Sequence, residues 1–351
     1  MPITYKHLYP QIYDFAALHA AYRRARLGKR ARPDALEFRR NLESNLIQLQ
    51  NELIWKTYRT GAYRFFLVHE PKQRQVAALP FRDRVLQHAL VGVLEPIFEP
   101  RFSRDSYACR VGKGTHAGTT RAQQFLRRIQ REHGRVFVFK ADIAKYFASI
   151  HHEALKRILR RHIACPDTLW LVDSIIDSTG GDCGLPIGNL TSQLFANVYL
   201  HQLDRFVKQE LREPFYLRYM DDFCVVSPDK AHLHQVRRRV EEFLGEQLGL
   251  RLNQKTAIFP VSRDRGRALD FLGFRIYPTH LALRKSSGLR MQRGLRHLAR
   301  RYHAGRCTLE RIQASIASWL GHCRHCRSYH VRRRVMGSVV LRSAAEMENC
   351  V

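Results

Sequence analysis

The run FYLRYMDDFCVVS (215–227) places two carboxylates side by side, Asp221 and Asp222, inside an otherwise apolar stretch. Its aromatic and β-branched content reads as two strands. Charged groups are not buried in a strand without a partner, so the pair belongs at a tight turn between those strands. Adjacent carboxylates repel each other, and both stay ionised only if positive charge sits beside them. A divalent cation of the magnesium type supplies that charge and favours carboxylate oxygen, keeping water and substrate phosphate as its other ligands. A second run, VFVFKADI (136–143), alternates Val136 and Val138 with Phe137 and Phe139 as a buried strand does and ends in Asp142. If that strand lies beside the hairpin, Asp142 completes a site for two metal ions. The plainer alternative for Asp142 alone is a cap on the following turn.

The remaining chain reads as a mixture of helices and short strands. Residues 36–58 form an amphipathic helix, with Leu42, Leu46, Leu49 and Leu53 at spacings of three to four. RFFLVHE and QVAALPF read as strands joined by the polar turn PKQR. Helices are predicted over 83–97, 116–132, 152–163, 167–178, 191–210 and 231–247. Strands follow near 250–260 and 268–277, and basic helices occupy the chain from about 285. This gives an α+β core followed by a basic helical end.

Charge narrows the class of partner. Lys and Arg number 60 against 31 Asp and Glu, a formal net charge of +29. The excess runs along the whole length, for example in RRAR (23–26), RRIQR (127–131) and RGLRHLARR (293–301). Compositional habit is one explanation; binding to a polyanion, with nucleic acid the usual one, is the other and the one favoured here. No apolar run reaches the roughly 20 residues that span a bilayer, so no membrane partner is expected. The eight cysteines are scattered in a large charged chain, which suits a reducing cytoplasm better than a disulfide scaffold. One CxxC, Cys323 and Cys326, would need two further ligands such as Cys307 or His330 to hold zinc; a helix end with incidental cysteines is the favoured explanation.

The order and company of these segments resemble the reverse transcriptases. The matching blocks are PKQRQVAALPFRDRVLQHAL (71–90), FSRDSYACRVGKGTHAG (102–118), KADIAKYF (140–147), GLPIGNLTSQLFANVYLHQLD (184–204), YMDDF, LNQKTAIF (252–259) and FLGFRIYP (271–278). The resemblance covers about residues 36–280. It implies a right-hand polymerase: an N-terminal extension at 1–35, fingers with the start of the palm at 36–135, a palm carrying the aspartates at 136–280, and a helical basic thumb at 281–351. PIGNLTSQ (186–193) lacks the glutamine of the PQG-containing block. In this it is similar to the enzymes of diversity-generating retroelements, which copy a template RNA into mutagenised cDNA. A departure is SIHH, where His151 and His152 stand near the place of an expected acidic residue.

The resemblance also implies roles. Asp142, Asp221 and Asp222 would be catalytic and would hold two Mg²⁺ ions, with the backbone carbonyl of Ile143 as a further ligand. Lys72 and Arg74 would hold the incoming deoxynucleoside triphosphate. Phe147 would exclude a 2′-hydroxyl, although a core aromatic is the plainer explanation. Ile187 would line the nucleotide pocket, and Lys255 would sit behind the carboxylates. Arg110, Lys113 and His116 would follow template phosphates. Arg290, Arg293, Arg296 and Arg300, spaced by three to four on one helix, would neutralise phosphates of the RNA–cDNA duplex. A small basic oligomeric accessory protein would be the partner of such an enzyme. No RNase H, integrase or endonuclease region is expected after residue 280.

Overall fold

The computed structural model describes residues 4–69, 73–263 and 266–341. Four helices come first: α1 (Pro10–Tyr13), α2 (Phe15–Ala25), α3 (Pro33–Arg40) and α4 (Leu42–Ile54). Asp14 caps α2 by accepting from the Ala17 amide at 3.0 Å. The single helix expected over 36–58 is two. Asn41 leaves helical geometry between them (φ −121°, ψ 51°), which lets Phe38 and Leu46 both reach the core.

A two-stranded hairpin follows, β1 (Arg64–Val68) with β2 (Arg74–Ala78), as the sequence predicts. Every residue of β1 is exposed. Next come α5 (Phe81–Phe98), α6 (Thr115–His133), β3 (Phe137–Asp142), α7 (His152–Arg160), α8 (Pro166–Asp177) and α9 (Leu190–Arg205). The expected hairpin is β4 (Tyr216–Tyr219) with β5 (Asp222–Ser227), and α10 (Lys230–Leu248) follows it. β6 (Ala257–Pro260) is shorter than the strand expected from residue 250, because Asn253 folds its side chain onto the Lys255 amide at 3.1 Å and makes a local turn. The strand expected over 268–277 is a hairpin, β7 (Leu269–Phe271) and β8 (Phe274–Ile276), turning at Leu272 and Gly273 with both φ positive. β9 (Leu281–Leu283) completes that small sheet. The described chain then runs through α11 (Lys285–His303), α12 (Leu309–Cys323) and α13 (Tyr329–Met336).

The central sheet is antiparallel, in the order β4-β5-β3-β6. It is covered on both faces, so its strands read as continuous apolar runs. One face carries Phe139, Ala141, Tyr216, Phe223 and Val225 into a core shared with the N-terminal helices, α5, α9 and α10. The other carries Val138, Leu217, Cys224 and Val226 against α6 and β7–β8. α11–α13 have a small core of their own around Leu283, Met291, Leu295, Ile312, Trp319 and Val335.

The largest fully buried side chain is Arg218, in the middle of β4. Its Nε and Nη2 donate to the two oxygens of Asp204 on α9, each at 2.7 Å. Its Nη1 donates to the Met220 carbonyl at 2.9 Å and to Asn197 Oδ1 at 3.2 Å. Tyr216 Oη adds a third donor to Asp204 at 2.7 Å. The guanidinium holds the Asp204 carboxyl well below its usual range despite complete burial. Removing one member strands a buried charge, so Arg218→Ala is expected to destabilise the fold by about 3–5 kcal/mol. Replacing Asp204 and Arg218 together by apolar residues should recover most of that loss. Chemical denaturation of the single and double variants measures both.

Candidate active site

β3 and β5 pair in a register whose last step sets Asp142 opposite Asp222. Tyr219 pairs with Asp222 across the β4–β5 hairpin, so Met220 and Asp221 form its two-residue turn. Met220 takes the left-handed conformation (φ 55°), uncommon for a side chain of its size. Its carbonyl is tied to buried Arg218. The turn that presents Asp221 is thereby fixed from inside the core. Asp142 is fixed from the other side: the Asn253 amide donates to its carbonyl at 2.7 Å, and Ala144 donates to the Arg251 carbonyl at 2.9 Å. Asn253 Nδ2 also reaches Asp142 Oδ2 at 3.4 Å.

Burial and the neighbouring carboxylate of Asp142 push Asp221 up to about 6. Asp222 is also pushed up to about 6, by burial first, although Lys140 and Arg284 pull the other way. Lys140 Nζ lies 2.9 Å from Asp222 Oδ1. That ion pair is the one contact found for this buried oxygen among the described residues. Crowded, partly buried carboxylates raised by one another are what a hard divalent cation relieves, so the donor set fits one. Among the described residues no three His, Cys, Asp or Glu side chains converge as a closed metal site.

The residues expected around the nucleotide are brought near one another by backbone contacts. The Leu185 amide donates to the Phe147 carbonyl at 2.7 Å, and the Ala77 amide of β2 donates to the Ile187 carbonyl at 2.8 Å. Gly188 makes that approach possible. Its φ is 119°, and a Cβ there would stand 2.9 Å from Val76 and 3.0 Å from the Ala77 carbonyl. Arg74 at the start of β2 is exposed, and its charge is felt at Asp221, where it favours the ionised form. Phe147 is half-buried and meets Tyr146 edge to face. Lys72 lies outside the described residues.

Other expectations come out differently. Arg110 is an internal brace and does not face outward to follow phosphates. Its guanidinium holds Glu99 through Nε at 2.9 and 3.0 Å and the carbonyls of Ser103 and Ser106 through Nη1 at 2.6 and 2.9 Å. Lys113 donates to the Arg104 carbonyl at 2.9 Å beside a cavity of about 450 Å³ lined also by His116 and Arg121. Lys255 is exposed in the turn before β6, and Asn253 is the member of its block that touches Asp142. His152 takes a structural place, with Nε2 2.8 Å from the Gly184 carbonyl. Arg290, Arg293, Arg296 and Arg300 are all exposed on α11. Cys323 and Cys326 are free thiols, pushed up by burial, and no zinc-type cluster surrounds them among the described residues.

Sequence reading missed Lys140, Asn253 and the Arg218–Asp204 pair. A charged residue in the middle of FYLRY was the available signal for the last of these.

The family model described as reverse transcriptase (RNA-dependent DNA polymerase) matches residues 69–276, well over half of the chain. This chain belongs to the reverse transcriptase family. Its fold is accordingly the right-hand polymerase fold, with mixed helix and antiparallel sheet. Protein YkfC of Escherichia coli K12 is 26% identical over 245 residues, which is 58% of this chain and 63% of that protein. Group II intron-encoded protein LtrA of Lactococcus lactis subsp. cremoris is 29% identical over 183 residues, 49% of this chain and 28% of that protein. The chain thus spans less than two thirds of the length of either relative. Among solved structures, apo telomerase from Candida tropicalis, truncated from the C-terminal domain, aligns over 69% of this chain and 60% of that chain at 13% identity and a TM-score of 0.47.

The raised carboxylates make a sign prediction. A group whose folded pKa lies above its unfolded value disfavours the fold once ionised. In the absence of divalent ions, stability should therefore fall as pH rises from about 4 through about 6. Asp221→Asn should flatten that slope and raise the metal-free melting temperature near pH 7.5, while shrinking the stabilisation that added Mg²⁺ gives. Thermal unfolding with and without Mg²⁺ reads both effects; a native protein indifferent to pH and Mg²⁺ contradicts the assignment.

Proposed function

We propose that this protein is an RNA-directed DNA polymerase that extends a primer on an RNA template with deoxynucleoside triphosphates. The observation that carries the proposal is the cross-strand pair Asp142–Asp222 beside Asp221, on a turn fixed by buried Arg218. In the reaction the primer 3′-oxygen bonds to the α-phosphorus of the incoming nucleotide, its proton is lost, and pyrophosphate leaves. Asp142, Asp221, Asp222 and the Ile143 carbonyl would hold two Mg²⁺ ions. Those ions, when bound, would supply Lewis-acid stabilisation of the attacking and leaving oxygens.

The protein's own residues do the positioning. Arg74 suits a triphosphate through its forked donors, and it stands at the strand that backs the Ile187 loop. Phe147 lies against the same loop and supports selection against ribose by its bulk. The β4–β5 turn keeps Asp221 in place because the Met220 carbonyl beside it is held by Arg218 Nη1 from the core. α11, with Arg290, Arg293, Arg296 and Arg300 exposed, suits the role of a thumb along an RNA–cDNA duplex.

At a finer level we read it as the polymerase of a diversity-generating retroelement, working with template RNA and a small basic oligomeric accessory protein. Support comes from PIGN in place of the glutamine-bearing block. Ile187 offers the nucleotide no side-chain hydrogen bond, which costs about 0.5–1.5 kcal/mol of orienting contact. Weaker reward for correct geometry lowers discrimination, and about 1.4 kcal/mol suffices for tenfold. An intron-type enzyme is the second reading, favoured by the similarity to LtrA.

Asp221→Asn should lower Mg²⁺-dependent primer extension by several orders of magnitude while RNA affinity stays within about twofold of native, since charge and not volume is removed. Extension near the native rate would refute the metal assignment. Ile187→Gln should reduce misincorporation opposite template adenines, read by sequencing cDNA from a defined RNA. An unchanged error spectrum in an active variant would remove Ile187 from the account of fidelity and weaken the retroelement reading without touching the polymerase one.

A further inference from the structure

The α11–α13 unit returns to the body of the protein at the end of α12. The Arg327 amide donates to the Leu281 carbonyl at 2.8 Å, and Ala282 and Arg327 form a parallel bridge. The side chains at this return are unusual. His325 lies face to face on His116, the second residue of α6, with ring centroids 3.7 Å apart and planes 26° apart. His322 lies against Phe274 at 4.5 Å and within 6.4 Å of His116. The β7–β8 turn backs the group: Leu272 is close enough to Gly118 that a Cβ there would meet it at 2.8 Å, and Gly273 faces His322.

We propose that His116 and His325 form a clasp that helps position α12 against α6 and is weakened when both rings carry a proton. Two stacked imidazoles attract as aromatic rings, but two imidazoliums at this separation repel. From α6 and the segment before it the cavity beside His116 receives Arg104, Lys113 and Arg121, and among the described residues no carboxylate lines it. Arg121 is paired with Asp105 at 2.9 Å. From the end of α12 and the residues after it the neighbours are His322, Arg324 and Cys326, and from the β7–β8 turn Leu272, Gly273 and Phe274. Burial and His325 lower His116 from its ordinary 6.5, and burial, His116 and His325 lower His322. The sign follows: the clasp contributes fully above about 6.5 and loses strength as pH falls below it. Both stacked rings are solvent-exposed, so a water-like dielectric applies. The repulsion of two unit charges at the stack separation then corresponds to about a fivefold shift in the closed-to-open ratio.

The test is hydrogen–deuterium exchange of the full chain, corrected for intrinsic rates, at about pH 7.5 and about pH 5. Native protein should lose about fivefold protection across 320–328 and 115–118 at the lower pH. In His325→Phe the stack remains and protonated His116 becomes attractive to the ring, so protection should not fall. His116→Phe reads the same way should His325→Phe not fold. The pH effect persisting in the phenylalanine variants, or its absence in native protein, overturns the proposal. A second readout rests on the polymerase reading: product length per binding event should fall with pH in native protein relative to His325→Phe. Failure of polymerisation as such would strike both proteins equally and leave the exchange result standing.

Discussion

The bidentate contact between Arg218 and Asp204 is the constraint on which the site depends. A fully buried guanidinium is costly unless every donor is directed and its charge is matched. Here Asp204 matches the charge, and the remaining donor is given to Met220 and Asn197. The same group therefore neutralises the core and fixes the turn one residue from Asp221. The backbone of Arg218 works too. Its amide donates to the Asp105 carbonyl and its carbonyl accepts from the Tyr107 amide, both at 2.9 Å, joining the hairpin to the segment before α6. A hairpin alone would be marginal in water; this one is held on three sides.

Charge is distributed with a purpose that composition alone does not reveal. The chain carries +29 overall, yet its central sheet ends in three carboxylates, two of them raised to about 6. Some arginines are consumed inside, as Arg110 and Arg218 are, and some remain outside, as those of α11 do. The exposed set suits a polyanion, and the carboxylates suit the cations that travel with phosphate. Lys140 holds an intermediate place, half-buried and paired with Asp222 at 2.9 Å.

Much of the fold was legible because it is written in local patterns. The β3 strand, the β4–β5 hairpin, α5, α6 and α10 follow directly from periodicity and turn chemistry, and the carboxylate pair declared its turn by being unable to sit in a strand. The misses have local causes too. Asn41 breaks a helix that leucine spacing predicts as continuous, Asn253 shortens β6, and the Leu272–Gly273 turn folds an expected strand into a hairpin. In each, a local turn outweighs the apolar pattern around it.

The sequence by itself determined which chemistry the chain carries: hard oxygen donors at two strand ends, a basic surface and the block order of a polymerase family. Only the tertiary structure decided which charges face one another. The register that sets Asp142 opposite Asp222, the burial of Arg218, the inward turn of Arg110 and the stacking of His116 on His325 all join residues far apart in the chain. A charge pattern along a chain looks the same whether its members meet solvent or each other. Desolvation, which separates the two cases, exists only once the chain is packed.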